Sequence, residues 1–462
     1  MTKKDRFTIL FLSLYAAILI TSVSFCSPLY GFNDMVDINI IFSVGKSFWR
    51  GKLVYRDLFE HKGPLMYAIT AIASLITSSN LHGVWVLEIV SAVLFAIFSF
   101  LILKKLKPEA SGILLPPIIY LIYHSGSFAG GTAEEFCLPL LAGGMLAGIN
   151  AMEKKRMPSF RESFWIGITS AIMFWIKYNM IGFYVGLFIA FVIFALKDKT
   201  LKQLGMAILG VVCGVLTVSI PILIFFGMQS ALDDLFQVYF YDNVHNYANR
   251  LDFLYQGYYA LIGTLNTIRN NLAAWALIAV GILWLLIKQK NKRILVLVIC
   301  SAFFTAWFVY CGGMQFPYYG FILLLFAVLA AAIEPKLPYG RVLAPLCAVG
   351  FALFTFPFSK LSSPDNPDNY IQYRLTRQID PSATLLTYNS FDQGFYTAGS
   401  LYPSEYHFCM TNCMIDDANA AQLQYIEEGR TEYIVTREDL SMYSNYSLLT
   451  EDGEWKLYQR AY

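Results

Sequence analysis

The chain has 462 residues, of which 57% are hydrophobic, 16% aromatic and 14% charged, and its formal net charge is +2. This composition excludes an ordinary soluble globular protein and predicts a membrane protein. The small net charge, without a basic tail, argues against a nucleic-acid partner. The eight cysteines lack the paired spacings of zinc sites, which argues against metal–thiolate chemistry.

Apolar runs recur along the chain, and they predict an all-α polytopic membrane protein with about 11 transmembrane helices. The first run, residues 7–26, follows basic residues, which predicts a cytoplasmic N-terminus, and it lacks a small-residue cleavage site, which predicts a retained helix rather than a signal peptide. The other runs are 83–103, 110–125, 135–152, 163–177, 180–196, 204–226, 271–287, 294–310, 318–333 and 342–358. Basic clusters at 104–107, 154–156, 197–202, 288–293 and 336–341 then all face the cytoplasm in one threading.

Residues 65–77 form a further apolar run, which is too short to span a bilayer comfortably. We therefore predict an interfacial or re-entrant helix there, beginning at Pro64. This threading places residues 27–82 in a first external loop. It also predicts two domains: a transmembrane domain over residues 1–358, and a small extracytoplasmic α/β domain over residues 359–462, with strand-like runs at 384–388, 433–436 and 456–458.

The first external loop begins with a predicted surface helix over residues 36–50. Asp37 falls on its apolar stripe, and an acid that faces the protein body is costly unless it has a task or a partner, which favours a general base or a metal ligand. The alternative is that Asp37 only complements the helix dipole, with Asn33 or Asp34 as the cap. For Asp34, capping is the favoured role. The opposite, polar stripe consists of Asn39, Ser43, Lys46, Ser47 and Arg50.

The same loop carries a surplus of basic residues, which is unexpected on the external side. They are Lys46, Arg50, Lys52, Arg56 and Lys62. An anionic ligand such as a lipid phosphate would explain the surplus, and so would ordinary anionic headgroups. Glu60, His61 and Lys62 precede a helix start, which is a position suited to phosphate.

Further candidates lie at other predicted external positions. Glu134 and Glu135 follow two glycines at a helix start, where they either complement the helix dipole or join Asp37 in a carboxylate pair that binds a divalent cation or orients an acceptor hydroxyl. Lys177 is either a snorkelling anchor or a phosphate ligand. Glu88 is an intramembrane acid and hence a functional candidate. Tyr247 and His245 belong to a Tyr- and Asn-rich segment that suits either sugar binding or the membrane interface.

The order Asp37, Tyr55-Arg56-Asp57, Glu60-His61-Lys62-Gly63-Pro64-Leu65 and Gly130-Gly131-x-x-Glu134-Glu135 resembles bacterial membrane glycosyltransferases of the GT-C fold. These are related to the protein O-mannosyltransferases and the aminoarabinose transferases. The resemblance covers most of the membrane part. The chain departs from the family in having Glu60 where relatives often have Asp, and in having no histidine before the aromatics of Gln315-Phe316-Pro317-Tyr318-Tyr319.

The resemblance implies an enzyme that transfers a hexose or pentose, with inversion, from a polyprenyl-phosphate carrier to an envelope glycan, lipid or protein hydroxyl on the external face. Carried over by position, Asp37 is the catalytic acid, with Glu134 or Glu135 as the second. Lys62 and Lys177 match basic positions near the carrier phosphate, and we add His61 and Arg56 to that group. Glu60, Tyr247 and His245 are assigned to the acceptor or sugar.

Two questions stay open at this stage. A divalent cation (Mg²⁺, Mn²⁺ or Zn²⁺) held by Asp37 and Glu135 is a tentative further prediction. The alternative function is a transporter or flippase of lipid-linked sugars. A transporter should show internal repeats and ionisable residues near the bilayer midplane, whereas charge here gathers at the predicted outer mouth.

Overall fold

The structure, a computed structural model, describes residues 2–248, 252–362, 365–413 and 417–461. The chain forms two compact units. Unit 1 contains residues 1–24, 88–222 and 251–357, and unit 2 contains residues 25–87, 223–250 and 358–462. Unit 2 thus holds both the C-terminal segment, residues 358–462, and residues 27–82, the predicted first external loop; the predicted division into two domains stays a prediction.

The described residues are mostly helical. The α-helices are α1 (Lys3–Val23), α2 (Val36–Ser47), α3 (Pro64–Ser74), α4 (His82–Leu106), α5 (Leu115–Tyr123), α6 (Ala133–Glu153), α7 (Phe160–Ile176), α8 (Gly182–Asp198), α9 (Leu201–Met228), α10 (Leu232–Leu235), α11 (Phe253–Asn270), α12 (Leu272–Ile287), α13 (Lys292–Tyr310), α14 (Gly340–Thr355), α15 (Phe358–Ser362), α16 (Ile371–Thr376), α17 (Phe395–Ala398) and α18 (Ala418–Glu427). Phe48–Arg50, Tyr178–Ile181, Pro317–Ile333 and Pro367–Asn369 are 3₁₀ helices, and Phe236–Tyr247 is a π-helix.

The prediction of a multi-pass, mainly helical membrane protein is confirmed. Within the described residues, 6 helices are long and apolar enough to cross a membrane: α1, α4, α6, the Tyr178–Asp198 pair of helices, α9 and α13. The other predicted spans fall on shorter helices. Among these, Pro317–Ile333 has 17 residues, but at about 2.0 Å per residue a 3₁₀ helix of this length covers roughly 34 Å, more than the hydrocarbon core of about 30 Å.

One helix was not predicted from the apolar runs. Helix α11 has 18 residues and is joined to α12 by a bend of 109°. Its exposed side chains include Phe253, Leu254 and Tyr258. Because the apolar residues follow a helical period rather than a continuous run, a search for apolar runs misses this helix.

Glycines bring the helices of unit 1 into close contact. On α8, a Cβ at Gly182 would lie 2.1 Å from the Phe304 carbonyl oxygen, and one at Gly186 would lie 2.4 Å from the Cys300 oxygen. On α9, a Cβ at Gly214 would lie 2.2 Å from the Phe164 oxygen. Small residues four apart let two backbones approach closely, which compensates for the absence of a hydrophobic driving force in lipid.

Unit 2 combines the loop helices with a four-stranded sheet. The strands are β1 (Leu385–Thr387), β2 (Tyr433–Thr436), β3 (Tyr446–Asp452) and β4 (Trp455–Arg460), in the order β1-β2-β4-β3. β1 is parallel to β2, and the other pairs are antiparallel. Leu386, Ile426 and Ile434 lie in its core. The predicted small α/β region is therefore confirmed, with three of its four strands anticipated.

Helix α3 has 11 residues, so it is only about 16 Å long. Its outer face exposes Ile72, and Leu75 and Ile76 just beyond its end are exposed as well. A short helix with an exposed apolar face matches the predicted interfacial role of residues 65–77 better than a full span.

Candidate active site

Residues 27–82, the predicted first external loop, fold so that three of the predicted site residues meet in unit 2. The Lys62 ammonium lies 3.5 Å from Asp37 Oδ2 and 3.7 Å from Glu60 Oε1. The Glu60 side chain is 4% exposed and that of Asp37 is 16% exposed. We call Asp37, Glu60, His61 and Lys62 the loop cluster. Of its two carboxylates, Asp37 is the more accessible.

Two tyrosines that were not anticipated hold the loop cluster in place. The Tyr67 hydroxyl donates to Glu60 Oε2 and accepts from the backbone N–H of Lys62. The Tyr55 hydroxyl donates to the Lys62 carbonyl. Tyr55 has a φ of +74°, a left-handed conformation that is strained for a non-glycine residue and persists only where the surroundings enforce it. The Tyr55 ring stacks against Phe226, and this contact helps to hold the strained conformation.

The π-helix Phe236–Tyr247 presents two side chains to His61. The Asn243 side chain donates to the His61 carbonyl at 2.6 Å and meets the ring nitrogen Nδ1 at 3.1 Å. The Tyr247 ring lies 4.5 Å from the His61 ring, centroid to centroid. π-helical turns occur frequently at functional sites. The structure thus places Tyr247 beside His61 of the loop cluster. It also adds Asn243 to the site; the only sequence signal for this residue was the Tyr- and Asn-rich composition of its segment.

Two other predicted residues have different contacts. The Arg56 guanidinium is half-exposed, pairs with the adjacent Asp57 at 2.8 Å and donates to the Gln229 carbonyl. His245 stacks on Tyr241 with ring centroids 4.0 Å apart. Their predicted roles in binding phosphate and sugar stay predictions, without support from contacts to the loop cluster.

Helix α2, which carries Asp37, differs from the predicted surface helix. Asn39, Ser43, Lys46 and Ser47 of its polar stripe are buried, and only Arg50, just beyond the helix, is exposed. Asp34 is exposed and does not cap α2: the N-cap residue is Met35, which makes no side-chain capping bond, and the Asn33 side chain accepts from its N–H at 2.9 Å. A helical wheel shows which residues share a face, but not what covers that face.

In unit 1, Glu134 and Lys177 form a buried ion pair. Lys177 Nζ lies 2.6 Å from Glu134 Oε1 and 3.7 Å from the centroid of the Tyr319 ring. Glu134 lies in the first turn of α6, whose N-cap is Thr132. Lys177 extends beyond the end of α7. The sequence placed both residues at helix ends, but it did not indicate that they contact each other.

The neighbouring Glu135 is paired with a different acid. Its carboxyl group and that of Glu88 both accept from the Gly131 N–H. The Ser24 hydroxyl donates to Glu88 Oε2 at 2.7 Å. Two buried carboxyl groups that share one donor lie close together, and there they cannot both carry a charge. Glu135 is completely buried, and its predicted catalytic role stays a prediction.

The described residues contain no group of three or more His, Cys, Asp or Glu side chains placed to hold a metal ion. In the loop cluster, the Lys62 ammonium already lies between the two carboxylates. A site built around this lysine does not fit a divalent cation.

Comparisons with known proteins agree with this architecture. Residues 61–225, less than half of the chain, match the family model described as dolichyl-phosphate-mannose-protein mannosyltransferase. The chain is also similar to ArnT from Cupriavidus metallidurans. Against the apo structure the TM-score is 0.67, with 11% sequence identity, over 99% of this chain and 98% of that one.

This chain has the GT-C fold. Against ArnT bound to undecaprenyl phosphate, the TM-score is 0.63 with 11% identity, over 98% of this chain and 97% of that one. No protein with a curated description matches the sequence. The predicted resemblance to membrane glycosyltransferases of the GT-C fold is therefore confirmed.

Proposed function

We propose that this GT-C protein transfers a sugar from a polyprenyl-phosphate carrier to a hydroxyl group of an envelope glycan, lipid or protein. The family model and the fold support a membrane glycosyltransferase. ArnT, which shares the fold, binds undecaprenyl phosphate, which supports a polyprenyl-phosphate donor. We place the reaction on the external face, with a cytoplasmic N-terminus, because the basic clusters alternate along the chain.

The observation that carries the proposal is the Asp37–Lys62 pair of the loop cluster. A sugar phosphate already has a good leaving group, so the protein mainly has to supply a base for the acceptor and a cation for the departing phosphate. Asp37 takes the proton of the acceptor hydroxyl group while the oxygen of that hydroxyl group bonds to the anomeric carbon. The bond from that carbon to the phosphate oxygen breaks, and the polyprenyl phosphate leaves with the electron pair. Attack opposite the leaving group inverts the anomeric centre.

Lys62 is the side chain suited to the leaving phosphate. Its ammonium lies within 4 Å of Asp37, so a phosphate held by Lys62 would present its sugar beside the base. Glu60 is held by Tyr67 and by the Lys62 backbone, which supports a role in positioning Lys62; its predicted role at the acceptor or sugar stays a prediction. Tyr247, whose half-buried ring packs against His61, supplies an aromatic face on which a sugar ring packs.

Unit 1 contains a second cation with an aromatic neighbour, Lys177 over Tyr319. Lys177 is paired with Glu134, so a phosphate has to compete with that carboxylate for the ammonium. Its assignment to the carrier phosphate therefore depends on whether the ion pair opens when the carrier binds.

The test is a transfer assay in proteoliposomes with polyprenyl-phosphate sugars as donors, comparing wild type with D37N. Loss of a general base costs about 10²- to 10⁴-fold in rate, so we expect kcat to fall by at least 100-fold. D34N is the matched control, because Asp34 is an exposed acid three residues earlier, and we expect it to behave as wild type.

Two outcomes would contradict the proposal. Full activity in D37N would exclude Asp37 as the base. Movement of lipid-linked sugar across the bilayer by the wild type, without transfer from any donor, would favour the transporter. Assays with a chelator and with added Mg²⁺, Mn²⁺ or Zn²⁺ measure the metal requirement separately.

A further inference from the structure

The polar stripe of α2 is covered by the C-terminal segment of the same unit. Lys46 is only 1% exposed, and its ammonium donates to the carbonyl oxygens of Tyr396 at 2.9 Å and Ser78 at 3.3 Å. It also lies 5.1 Å from the centroid of the Tyr402 ring. Lys46 is therefore buried against the C-terminal segment, which supplies the Tyr396 carbonyl and the Tyr402 ring, while Ser78 supplies the second carbonyl.

Asp392 of that segment makes the complementary contact. Its side chain is completely buried, and Oδ2 accepts from the Ser43 hydroxyl of α2 at 3.1 Å. Oδ1 accepts from the N–H groups of Gly394 at 2.9 Å and Phe395 at 2.8 Å. Asp392 thus holds the start of α17, and Lys46 binds a carbonyl of the same short helix. The two contacts fix α17 against α2 from both sides.

Burying these charges has a cost. Burial lowers the pKa of Lys46 to about 7, although the Asp392 charge opposes that shift. Burial likewise raises the pKa of Asp392. Apolar side chains of similar size would often stabilise such a contact at least as well. A buried polar network whose hydrogen bonds are all satisfied instead holds the packed segments in one arrangement. We therefore expect this network to fix the position of α2 against the C-terminal segment.

The same contact reaches the end of α2 that carries Asp37. Gly394 has a φ of +98°, and a Cβ there would lie 2.9 Å from Asn39 Oδ1, so its backbone packs directly on α2. The Asn39 side chain donates to the carbonyl oxygens of Asn33 at 2.8 Å and Met35 at 3.0 Å. These two residues form the entry to α2 just before Asp37.

We propose that Lys46, Ser43 and Asp392 are positioning residues, through which the C-terminal segment, residues 358–462, sets the place of α2 and hence of the Asp37 carboxylate. The inference rests on the proposed function, because it assigns the network to the transfer reaction. In this proposal the C-terminal segment contributes to catalysis by positioning Asp37, and the network itself does not touch the substrate.

The kinetic test compares D392N and K46M with wild type in the transfer assay. D392N keeps the size of the side chain and removes its charge. A displacement of a catalytic group by about 1 Å can cost 100-fold, so we expect kcat to fall about 10- to 100-fold with the donor KM within about threefold of wild type. K456M removes a lysine from β4, outside the network, and we expect wild-type kinetics.

Hydrogen–deuterium exchange supplies a readout that does not depend on transfer. We expect D392N to accelerate exchange at residues 36–40 of α2 while β2 and β4 exchange as in wild type. S43A removes only one hydrogen bond and provides a milder variant should D392N not fold. For S43A we expect kcat to fall by about 2- to 10-fold.

Wild-type exchange at residues 36–40 in folded D392N or S43A would overturn the inference, and so would an unchanged kcat in both. Equal loss in K456M would also overturn it, by showing a general effect of charge. If the wild type transfers no sugar, the proposed function fails while the exchange result still decides whether the network holds α2.

Discussion

Replacing the two members of the Glu134–Lys177 pair, singly and together, tests whether Lys177 is held by that carboxylate. The side chains are 3% and 10% exposed, and their charged atoms are 2.6 Å apart. At an effective dielectric of about 20, unit charges at this distance attract by roughly 6 kcal/mol, most of which the desolvation of both groups offsets. Breaking such a pair by removing one partner typically costs about 3–5 kcal/mol.

We therefore expect E134Q and K177M each to lower the free energy of unfolding by about 3 kcal/mol. The double variant should lose about 3–4 kcal/mol rather than the sum, because the second change removes a charge that the first left unpaired. The resulting coupling energy is about 2–3 kcal/mol. The measurement is equilibrium unfolding in mixed micelles for the four proteins of the cycle.

Lys105 and Glu153 provide the matched control. They form an ion pair at 3.5 Å with side chains 39% and 42% exposed, and exposed pairs couple by less than about 1 kcal/mol. Additive losses in the Glu134–Lys177 cycle, or equal coupling in both pairs, would refute the argument from burial. Undecaprenyl phosphate should stabilise E134Q more than K177M if Lys177 is the phosphate ligand, because ligand binding to the folded state adds to its stability.

Two further predictions concern buried ionisable groups. The pKa of Lys46 is about 7 in the folded chain, against 10.5 for an ordinary lysine, so between these pH values the unfolded chain binds a proton that the folded chain has released. Wild-type stability should therefore rise relative to K46M from pH 7 to 10.5, by up to roughly 5 kcal/mol, and a pH-independent difference in unfolding would contradict this. For Glu135, E135Q should unfold within about 1 kcal/mol of wild type, because the amide keeps the size of the side chain and places no second charge beside Glu88; E135A should be clearly less stable. A folded E135Q with kcat reduced more than 100-fold would support the predicted catalytic role.

The architecture was predictable wherever a local pattern carries the information. Long apolar runs gave the membrane helices, and alternating basic clusters gave a threading. Asp37, Glu60 and Lys62 were found together because they lie in one loop, at most 25 positions apart in the sequence, and because the Glu60–Pro64 block resembles a known family. In these cases neighbours in sequence are also neighbours in space.

The partners of these residues were not predictable, because they come from distant parts of the chain. Asn243 reaches His61 from a segment 182 residues away, and Asp392 reaches Ser43 across 349 residues. The periodicity of α2 correctly separated a polar from an apolar stripe. It could not show that the polar stripe faces another polar surface, since burial depends on what packs against the helix.

The charges of the loop cluster imply an order of events in the proposed reaction. With His61 neutral, Asp37, Glu60 and Lys62 together carry one negative charge, which opposes binding of an anionic carrier. A phosphate that binds Lys62 must therefore compete with Asp37 for the ammonium. As the ammonium turns to the phosphate, Asp37 loses a cation 3.5 Å away and becomes a stronger base. In this arrangement the donor itself activates the base, so Asp37 acts on an acceptor hydroxyl only when a sugar is present to receive it.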